Sequence, residues 1–408
     1  MTIPTCTRRQ WLSGASAAAL LGLTRPLARA AGRPPFPELE AAGSPGTLGL
    51  AHGRAFGAAI GRSVAFYLKW LSTTAQTTPA EVLRRAEGFG PLLAQRHPEL
   101  LEEMDGIAKG AGRTRTEILM VNARTDLAVL ARRKAPKAQS GEALPGRERS
   151  VWPGCTALAL VEGKGASARL ALGQNWDWRG DVKENLVLLR LRPAGRPALV
   201  TFTEAGMVAK IGFNQHRLGV CLNFLSHRTD EPGGPFGVPV HCLLRLALSC
   251  RTLEEAQTLV TRAPRSASAN LLLAQAAATG PVAADLELTP RSHARLPLRE
   301  GVLVHANHYK DAPLAAGCTE QRNRSTLNRD QVATQLAREL RAQLPDPTAR
   351  LQQVLRSRGG APYAVSKTPA PDSPSVTLAG IVMDLSRNEL HLAAGAPHER
   401  PFVKVRGV

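Results

Sequence analysis

The feature that most constrains the fold is a change of hydrophobic periodicity close to residue 155. Between about residues 50 and 130, apolar residues recur at helical spacing. After Cys155, short apolar runs separated by turn-forming residues are typical of β-strands. Helical patterns return later, and helices followed by strands and then helices favour a layered α+β domain over a sheet wound from alternating βαβ units.

Three local patterns give further structural expectations. Residues 31 to about 50 are rich in Pro and Gly and predict an irregular lead-in. Residues from about 325 to 357 predict one long helix. A glycine cluster is interpreted as helix ends, because no strand precedes it and no Gly-Lys-Ser/Thr follows as in a phosphate loop; its members are Gly106, Gly110 and Gly112.

Residues 1–30 are typical of a twin-arginine export signal. Arg8 and Arg9 precede a short Ala/Leu run, which ends in the small-residue cleavage pattern Ala28-Arg29-Ala30. The run is too short to cross a bilayer, and no later segment reaches eighteen apolar residues. We therefore expect a soluble protein without a membrane span, exported to the periplasm or the extracellular space. A basic amphipathic N-terminal helix is the alternative.

The formal net charge of +19 raises the question of a nucleic-acid partner. The Arg residues are scattered, without a dense basic run or interleaved aromatic residues, so a dedicated nucleic-acid surface is not predicted. A substrate with an acidic group remains open.

Removal of the signal would leave five cysteines, an odd number, so at least one thiol should stay unpaired in an exported protein. No Cys-x-x-Cys pair is present, and we expect neither a metal site nor a cofactor. His305 and His308 are also not expected to ligate a metal, since side chains at i and i+3 of a strand face opposite sides. Four cysteines are interpreted as core thiols or disulfide partners, namely Cys221, Cys242, Cys250 and Cys318.

Cys155 itself begins a predicted hairpin. If the turn lies near residue 165, strand pairing places Cys155 beside residues 174–177, within "GQNWDW". Gln174, Asn175 and Asp177 would then converge on the thiol. A nucleophile needs a base, an orienting group and donors for an oxyanion, and no His is close in sequence to act as the base.

Cleavage of the Gly154–Cys155 bond would supply a base. The new α-amino group has an ordinary pKa of roughly 7.7–8.0, which suits proton transfer at neutral pH. Residues 132–150 predict an exposed, mobile loop that would give the new chain ends room to separate. The mature protein would then consist of residues 31–154, mostly helical, and residues 155–408, one domain made of two fragments.

Several segments together resemble a known family. They include "GCTALAL", "GQNWDW", "TEAGMVAKIGFNQHRLGVCLNFL", "HANH" and "VMDLSRNELHLAAGAP". The chain resembles the cysteine N-terminal-nucleophile hydrolases, closest to the acyl-coenzyme A:6-aminopenicillanate acyltransferase family, with penicillin V acylases and bile salt hydrolases as distant relatives. This resemblance implies a four-layer αββα sandwich, autocatalytic cleavage before Cys155 and an acyl-enzyme on its sulfur.

The resemblance also implies roles for individual residues. Asp177 matches the Asp that positions the N-terminal amine, and Asn307 falls where an Asn side chain contributes to the oxyanion hole. Arg329 is our assignment for a catalytic Arg later in the chain. Asn175 and Asn223 are candidates for binding the substrate or the oxyanion.

These features predict a self-processing hydrolase that cleaves a linear or cyclic amide through an acyl-thioester. One alternative is an acyltransferase that moves an acyl group to an amine. Another, from a different class, is an exported binding protein of the same fold without turnover. The expected partners are a small-molecule amide or acyl substrate and the protein's own N-terminal fragment; the oligomeric state and the identity of the acyl group stay open.

Overall fold

The β-strands of the computed structural model form two sheets within the described residues, which are 34–130, 154–231, 234–319, 324–369 and 375–408. The first sheet has the order β1 (Glu38–Gly43), β4 (Leu186–Pro193), β5 (Leu199–Glu204), β6 (Ile211–Asn214), β7 (Leu218–Phe224), β8 (Ala269–Ala277), β9 (Gly280–Leu288) and β10 (His293–Pro297). The second has the order β11 (Val302–His305), β2 (Thr156–Glu162), β3 (Arg169–Arg179), β12 (Ser375–Asp384), β13 (Glu389–Ala393) and β14 (Val403–Arg406). The predictions for residues 1–30 and 132–150 lie outside the described residues.

Helices cover the outer face of each sheet. The helices are α1 (Pro45–Ala75), α2 (Pro79–Glu87), α3 (Gly90–Arg96), α4 (Pro98–Ala111), α5 (Arg115–Asn122), α6 (Arg124–Leu130), α7 (Val240–Ala247), α8 (Leu253–Arg262), α9 (Ala312–Ala315), α10 (Arg324–Glu339) and α11 (Pro347–Leu355). Helices α1 and α8 pack on the first sheet, and α10 and α11 pack on the second. Strands β2 and β3 contact β7 and β8, so the two sheets stack face to face. The predicted four-layer αββα sandwich is therefore confirmed.

The expected irregular lead-in is wrong. Residues 38–43 form β1, which pairs in parallel with β4 and becomes an edge of the first sheet. Helix α1 follows at once, because Ser44 caps it through its side chain and Pro45 starts the first turn. Pro45 therefore marks the start of α1, and Gly49 lies where α1 packs against α4.

Two of the three glycines interpreted as helix ends lie inside α4. A β-carbon on Gly106 would overlap the backbone of α1, as would one on Gly110. The two helices therefore pack backbone against backbone at these glycines. The interpretation of Gly106 and Gly110 as helix ends is wrong, because it considers only the preference of glycine for turns and not helix packing. Only Gly112 ends α4, with the left-handed φ of 63° that is common after a helix.

The single helix expected near residues 325–357 is two helices. Helix α10 ends at Glu339, and α11 begins at Pro347 with Asp346 as its cap. The carboxylate of Asp346 accepts hydrogen bonds from the backbone N–H groups of Thr348 and Ala349 at 2.9 and 3.3 Å. Pro345 and Pro347 interrupt the backbone hydrogen-bond series between the two helices. None of the helices in the described residues is long and apolar enough to span a membrane.

Candidate active site

The β2–β3 hairpin places Cys155 at the mouth of the space between the sheets. The antiparallel register pairs Thr156 with Asn175, so Cys155 lies beside the "GQNWDW" segment as the pairing argument predicted. Its side chain is 7% exposed. The sulfur lies 3.8 Å from the backbone carbonyl oxygen of Asp177, toward which the thiol donates. Burial raises the pKa of the Cys155 thiol, and the nearby Lys210 opposes that rise.

The polar side chains of β3 do not converge on the thiol, because successive residues of a strand face opposite sides. Gln174 faces the first sheet, where its amide oxygen accepts from the backbone N–H of Leu222 at 3.0 Å. Asn175 faces the helices and donates both amide hydrogens to the carbonyl oxygens of Leu355 and Val365, at 2.8 and 2.9 Å. Asn175 is therefore not an oxyanion donor, which corrects the expectation from sequence.

Asp177 is buried on the helix side of β3 and is held by two groups. The hydroxyl of Thr377, opposite it on β12, donates to Oδ1 at 2.7 Å. The ammonium of Lys367 lies 3.3 Å from Oδ2. Burial raises the pKa of Asp177, while the positive charges of Lys367 and Arg329 act in the opposite direction. Burial and Arg329 lower the pKa of Lys367 to about 8.

Arg329 of α10 reaches the start of β2 and connects three site residues. Its guanidinium donates to the carbonyl oxygen of Cys155, to the hydroxyl of Thr156 at 3.0 Å, and to Oδ1 of Asn307 at 3.0 Å. Gly154 packs against the same group: a β-carbon there would overlap Nη2 of Arg329 and lie 3.0 Å from Oδ1 of Asn307. The structure thus brings Gly154, Cys155, Asn307 and Arg329 together.

Asn307 follows β11 and has one amide hydrogen without an acceptor among the described residues. One amide hydrogen bonds the carbonyl oxygen of Phe224 at 2.9 Å. A side-chain amide has two N–H groups, so the second remains available close to Gly154, against which the Asn307 amide oxygen lies. The amide of Asn223, in contrast, donates to Oδ1 of Asn270 at 2.8 Å and to the carbonyl oxygen of His305 at 3.4 Å. Its amide hydrogens are therefore used, one toward β8 of the same sheet and one toward β11 of the other sheet, and its place among the binding residues stays a prediction.

Sequence reasoning missed two cations that line the cavity beside Cys155. This cavity has a volume of about 30 Å³ and is lined by Arg124, Thr125, Cys155, Trp176, Asp177, Trp178, Lys210, Leu222, Phe224, Val240 and Ala269. The ammonium of Lys210 lies 4.1 Å from the centroid of the Trp176 ring. Burial and the neighbouring Arg124 lower the pKa of Lys210 to about 7. A lone Lys inside the apolar run "MVAKIGFN" was the sequence signal that could have indicated it.

Arg124 belongs to the helical first part of the chain, yet it reaches this cavity. Its guanidinium pairs with the buried carboxylate of Glu204 and bonds the hydroxyl of Tyr67. Tyr67 donates to the other carboxylate oxygen of Glu204 at 2.6 Å. The residues before position 154 therefore supply part of the cavity wall.

The other cysteines form no disulfides with one another, and the His305–His308 pair forms no metal site, within the described residues. In the part of the chain that the structure describes, no two cysteines form a disulfide with each other, and no group of three or more His, Cys, Asp or Glu side chains is arranged to hold a metal ion. His305 and His308 do not face opposite sides, because β11 ends at His305 and their rings stack with centroids 6.3 Å apart. The Nε2 atom of His305 lies 2.8 Å from a carboxylate oxygen of Glu287.

A cysteine just before an inner strand, in a sandwich of two sheets between helices, fits the arrangement expected from the resemblance to the cysteine N-terminal-nucleophile hydrolases. A family model described as acyl-coenzyme A:6-aminopenicillanic acid acyl-transferase matches residues 161–399, more than half of the chain. This protein therefore belongs to that family. The match begins six residues after Cys155 and does not include it. The assignment of Cys155 as the nucleophile is therefore supported only by the residues that surround it in the structure.

Individual relatives are also similar. The acyl-coenzyme A:6-aminopenicillanic-acid-acyltransferase 40 kDa form of Emericella nidulans is 31% identical over 268 residues, which are 65% of this chain and 67% of that protein. The Caenorhabditis elegans ortholog of N-acylethanolamine-hydrolyzing acid amidase is 15% identical, with a TM-score of 0.41 over 57% of this chain and 93% of that one. Penicillin V acylase from Agrobacterium tumefaciens is 18% identical, with a TM-score of 0.40 over 59% and 83%. Family membership supports an enzyme that cleaves or transfers an acyl group at an amide bond.

Proposed function

We propose that this protein cuts its own chain between Gly154 and Cys155 and then cleaves N-acyl amide bonds of a small-molecule substrate through a thioester on Cys155. The observation that carries the proposal is the meeting of Arg329, Asn307 and the glycine at the Gly154–Cys155 bond. The guanidinium of Arg329 donates to the carbonyl oxygen of Cys155 and to Asn307 and lies against Gly154. A cationic donor is therefore next to this bond, and no side chain at residue 154 displaces it.

The self-cut is an N-to-S acyl shift followed by hydrolysis. The sulfur of Cys155 attacks the carbonyl carbon of Gly154, a C–S bond forms, and the peptide C–N bond breaks. The thiol proton passes to the departing nitrogen, which becomes the α-amine of Cys155. Water then hydrolyses the thioester, which restores the thiol and leaves Gly154 with a free carboxylate.

Turnover repeats the same chemistry on a substrate. The α-amine takes the thiol proton, the thiolate attacks the substrate carbonyl, and the leaving amine departs with that proton. Water, giving its proton to the α-amine, then hydrolyses the thioester and releases the acid. In this scheme Asp177 orients the amine, while the second amide hydrogen of Asn307 donates to the oxyanion. The cationic Arg329 stabilises the same developing charge.

The acceptor of the acyl group is either water or an amine. We propose that residues 1–30 direct export by the twin-arginine route, and acyl-coenzyme A should be scarce outside the cytoplasm, so hydrolysis is the preferred reaction. Similarity to an acyltransferase of Emericella nidulans favours transfer as the second candidate. Supplying acyl-coenzyme A and an amine to the purified enzyme separates the two, because transfer faster than hydrolysis would overturn the preference for water.

The first test is the nucleophile itself. The wild-type protein should run as two bands on a denaturing gel, and N-terminal sequencing of the longer fragment should begin Cys155-Thr156-Ala157. Cys155→Ala should stay uncut and inactive, because it has no sulfur to attack the bond. Cys250→Ala, which removes another buried thiol, is the matched control and should be cut and active. A wild-type chain that stays whole under all conditions would rule out self-processing and favour a binding protein of this fold.

A further inference from the structure

Lys210 is a buried amine that no carboxylate among the described residues pairs with. Its side chain is 4% exposed and lines the Cys155 cavity, with its ammonium over the Trp176 ring. The nearby buried carboxylates have other partners: Glu204 pairs with Arg124, and Asp177 pairs with Lys367. Among the described residues, no carboxylate lies within ion-pair distance of Lys210.

Burial of an unpaired ammonium is unfavourable in free energy, and the positive charge of Arg124 adds to that cost. Arg124 and burial both disfavour the charged ammonium, whereas Glu204 and a Cys155 thiolate would favour it. Burial lowers the pKa of His241, which lies near Lys210, well below its usual value. His241 is therefore neutral and adds no charge beside Lys210. The buried Cys155 thiol is itself neutral at neutral pH and supplies no standing negative charge. An anion that entered the cavity would offset the unfavourable burial.

A second donor faces the same space. Arg124 lines the cavity, and its Nε–H has no hydrogen-bond acceptor within the described residues. A carboxylate has two oxygens and can accept charge-assisted hydrogen bonds from an ammonium and a guanidinium together. The cavity volume of about 30 Å³ fits one or two waters, which a carboxylate would displace.

We propose that Lys210, with Arg124, forms a carboxylate-binding subsite beside Cys155, so that the preferred substrates are N-acyl amides carrying a carboxylate within a few bonds of the scissile carbonyl. Both Cys155 and Lys210 line one small cavity, which sets this short distance. The inference rests on the proposed function for the scissile bond and adds the chemical class of the substrate. The carboxylate can belong to the amine part, as in an N-acyl amino acid, or to the acyl part, as in a monoamide of a diacid.

The experiment uses two matched pairs of substrates with the processed enzyme. N-octanoylglycine is compared with N-octanoylglycinamide, and N-propylglutaramic acid with its methyl ester. The wild type should prefer the acid in at least one pair, and that pair identifies which part of the substrate carries the carboxylate. In Lys210→Met, the ratio of kcat/KM for that acid to kcat/KM for its neutral partner should fall about 10- to 100-fold, mainly through KM of the acid. The loss of the Lys210 charge beside Cys155, in contrast, affects both substrates alike. Lys210→Arg should retain most of the preference, and Lys404→Met, a change of a partly exposed Lys on β14, should leave it intact.

The pH dependence gives an independent readout. The preference for the acid should be largest below about pH 7 and should decrease as pH rises through that value, because the free ammonium of Lys210 loses its proton there. In Lys210→Arg this decrease should be absent, since a guanidinium stays protonated.

Binding is measured separately from turnover. The acids should slow alkylation of Cys155 by iodoacetamide more than their neutral partners do, and Lys210→Met should abolish that difference. Protection without turnover would retain the subsite and refute the proposed amidase. Turnover of both members of each pair with equal efficiency would retain the amidase and overturn the subsite. An equal loss on acid and neutral substrates in Lys210→Met would also overturn it.

Discussion

At Gly154 there is no room for a side chain, because Arg329 and Asn307 fill the space next to its α-carbon. The guanidinium of Arg329 lies where a β-carbon would be, and the Asn307 amide oxygen borders the same space. A larger residue would have to displace the guanidinium, which donates to the carbonyl oxygen of Cys155 and to Asn307.

Gly154→Ala should therefore slow self-cutting by at least about tenfold, which corresponds to roughly 1.4 kcal/mol in the barrier. A time course of chain cleavage, from freshly synthesised protein, measures the rate. Gly90→Ala is the control, because a β-carbon on Gly90 meets nothing within 4 Å. Cutting of Gly154→Ala at the wild-type rate would mean that Arg329 does not need its present position for the reaction.

For individual residues, the sequence predicts only those contacts that form between segments adjacent in the chain. The Cys155 hairpin could be derived because its two strands are adjacent in the chain, separated by one turn. The role of Asn175 could not, since its hydrogen-bond partners Leu355 and Val365 lie 180 and 190 residues away. Lys210 and Arg124 were missed for the same reason: only the stacking of the layers brings them to Cys155.

Among the secondary-structure elements, α11 is attached to the second sheet by several side-chain hydrogen bonds, and those of Asn175 are among the most buried. Asn175 on β3 bonds the last residue of α11, Leu355, and also Val365 in the segment that follows. Both bonds are buried, so their loss would leave two carbonyl oxygens without a donor. This side chain connects the second sheet to its helical layer.

Asn175→Ala should lower the free energy of unfolding by about 2–4 kcal/mol, because two buried hydrogen bonds disappear and their acceptors stay desolvated. Denaturant unfolding and kcat, measured on the same preparation, separate this structural role from a catalytic one. A large fall in kcat with unchanged unfolding would instead identify Asn175 as an oxyanion donor. Asn328→Ala is the control: Asn328 also bonds two carbonyl oxygens, but it is only half-buried and should contribute less.

The order of elements was easier to predict than their ends. Alternation and capping residues indicated the helices and strands, whereas β1 was hidden because it is a short edge strand within a Pro/Gly-rich segment. Its pairing with β4 is a contact between the first and second parts of the chain. No local pattern encodes such a contact, so the sequence indicated the layers but not this strand.

At the scale of the whole molecule, residues on the two sides of position 154 build one structure. Strand β1 extends the first sheet, and Arg124 completes the wall of the cavity. Two buried ion pairs also cross from the first part to the second: Arg124 with Glu204, and Glu103 with Arg245 at 3.2 Å. After the proposed cut, these contacts would become an interface between two fragments.

The cut fragments should therefore remain associated. Size-exclusion chromatography of the processed protein should give one species containing both fragments, in 1 M NaCl as well as at low salt, because buried ion pairs are screened much less than exposed ones. Arg124→Met leaves Glu204 charged and unpaired in the interior, which should weaken association by about 3–5 kcal/mol and release the shorter fragment at lower urea. Arg84→Met removes an exposed pair within α2 and should behave as the wild type. Separation of the wild-type fragments in salt alone, with activity retained by residues 155–408, would show that the first part of the chain is dispensable once the cut is made, and that the cavity does not need Arg124.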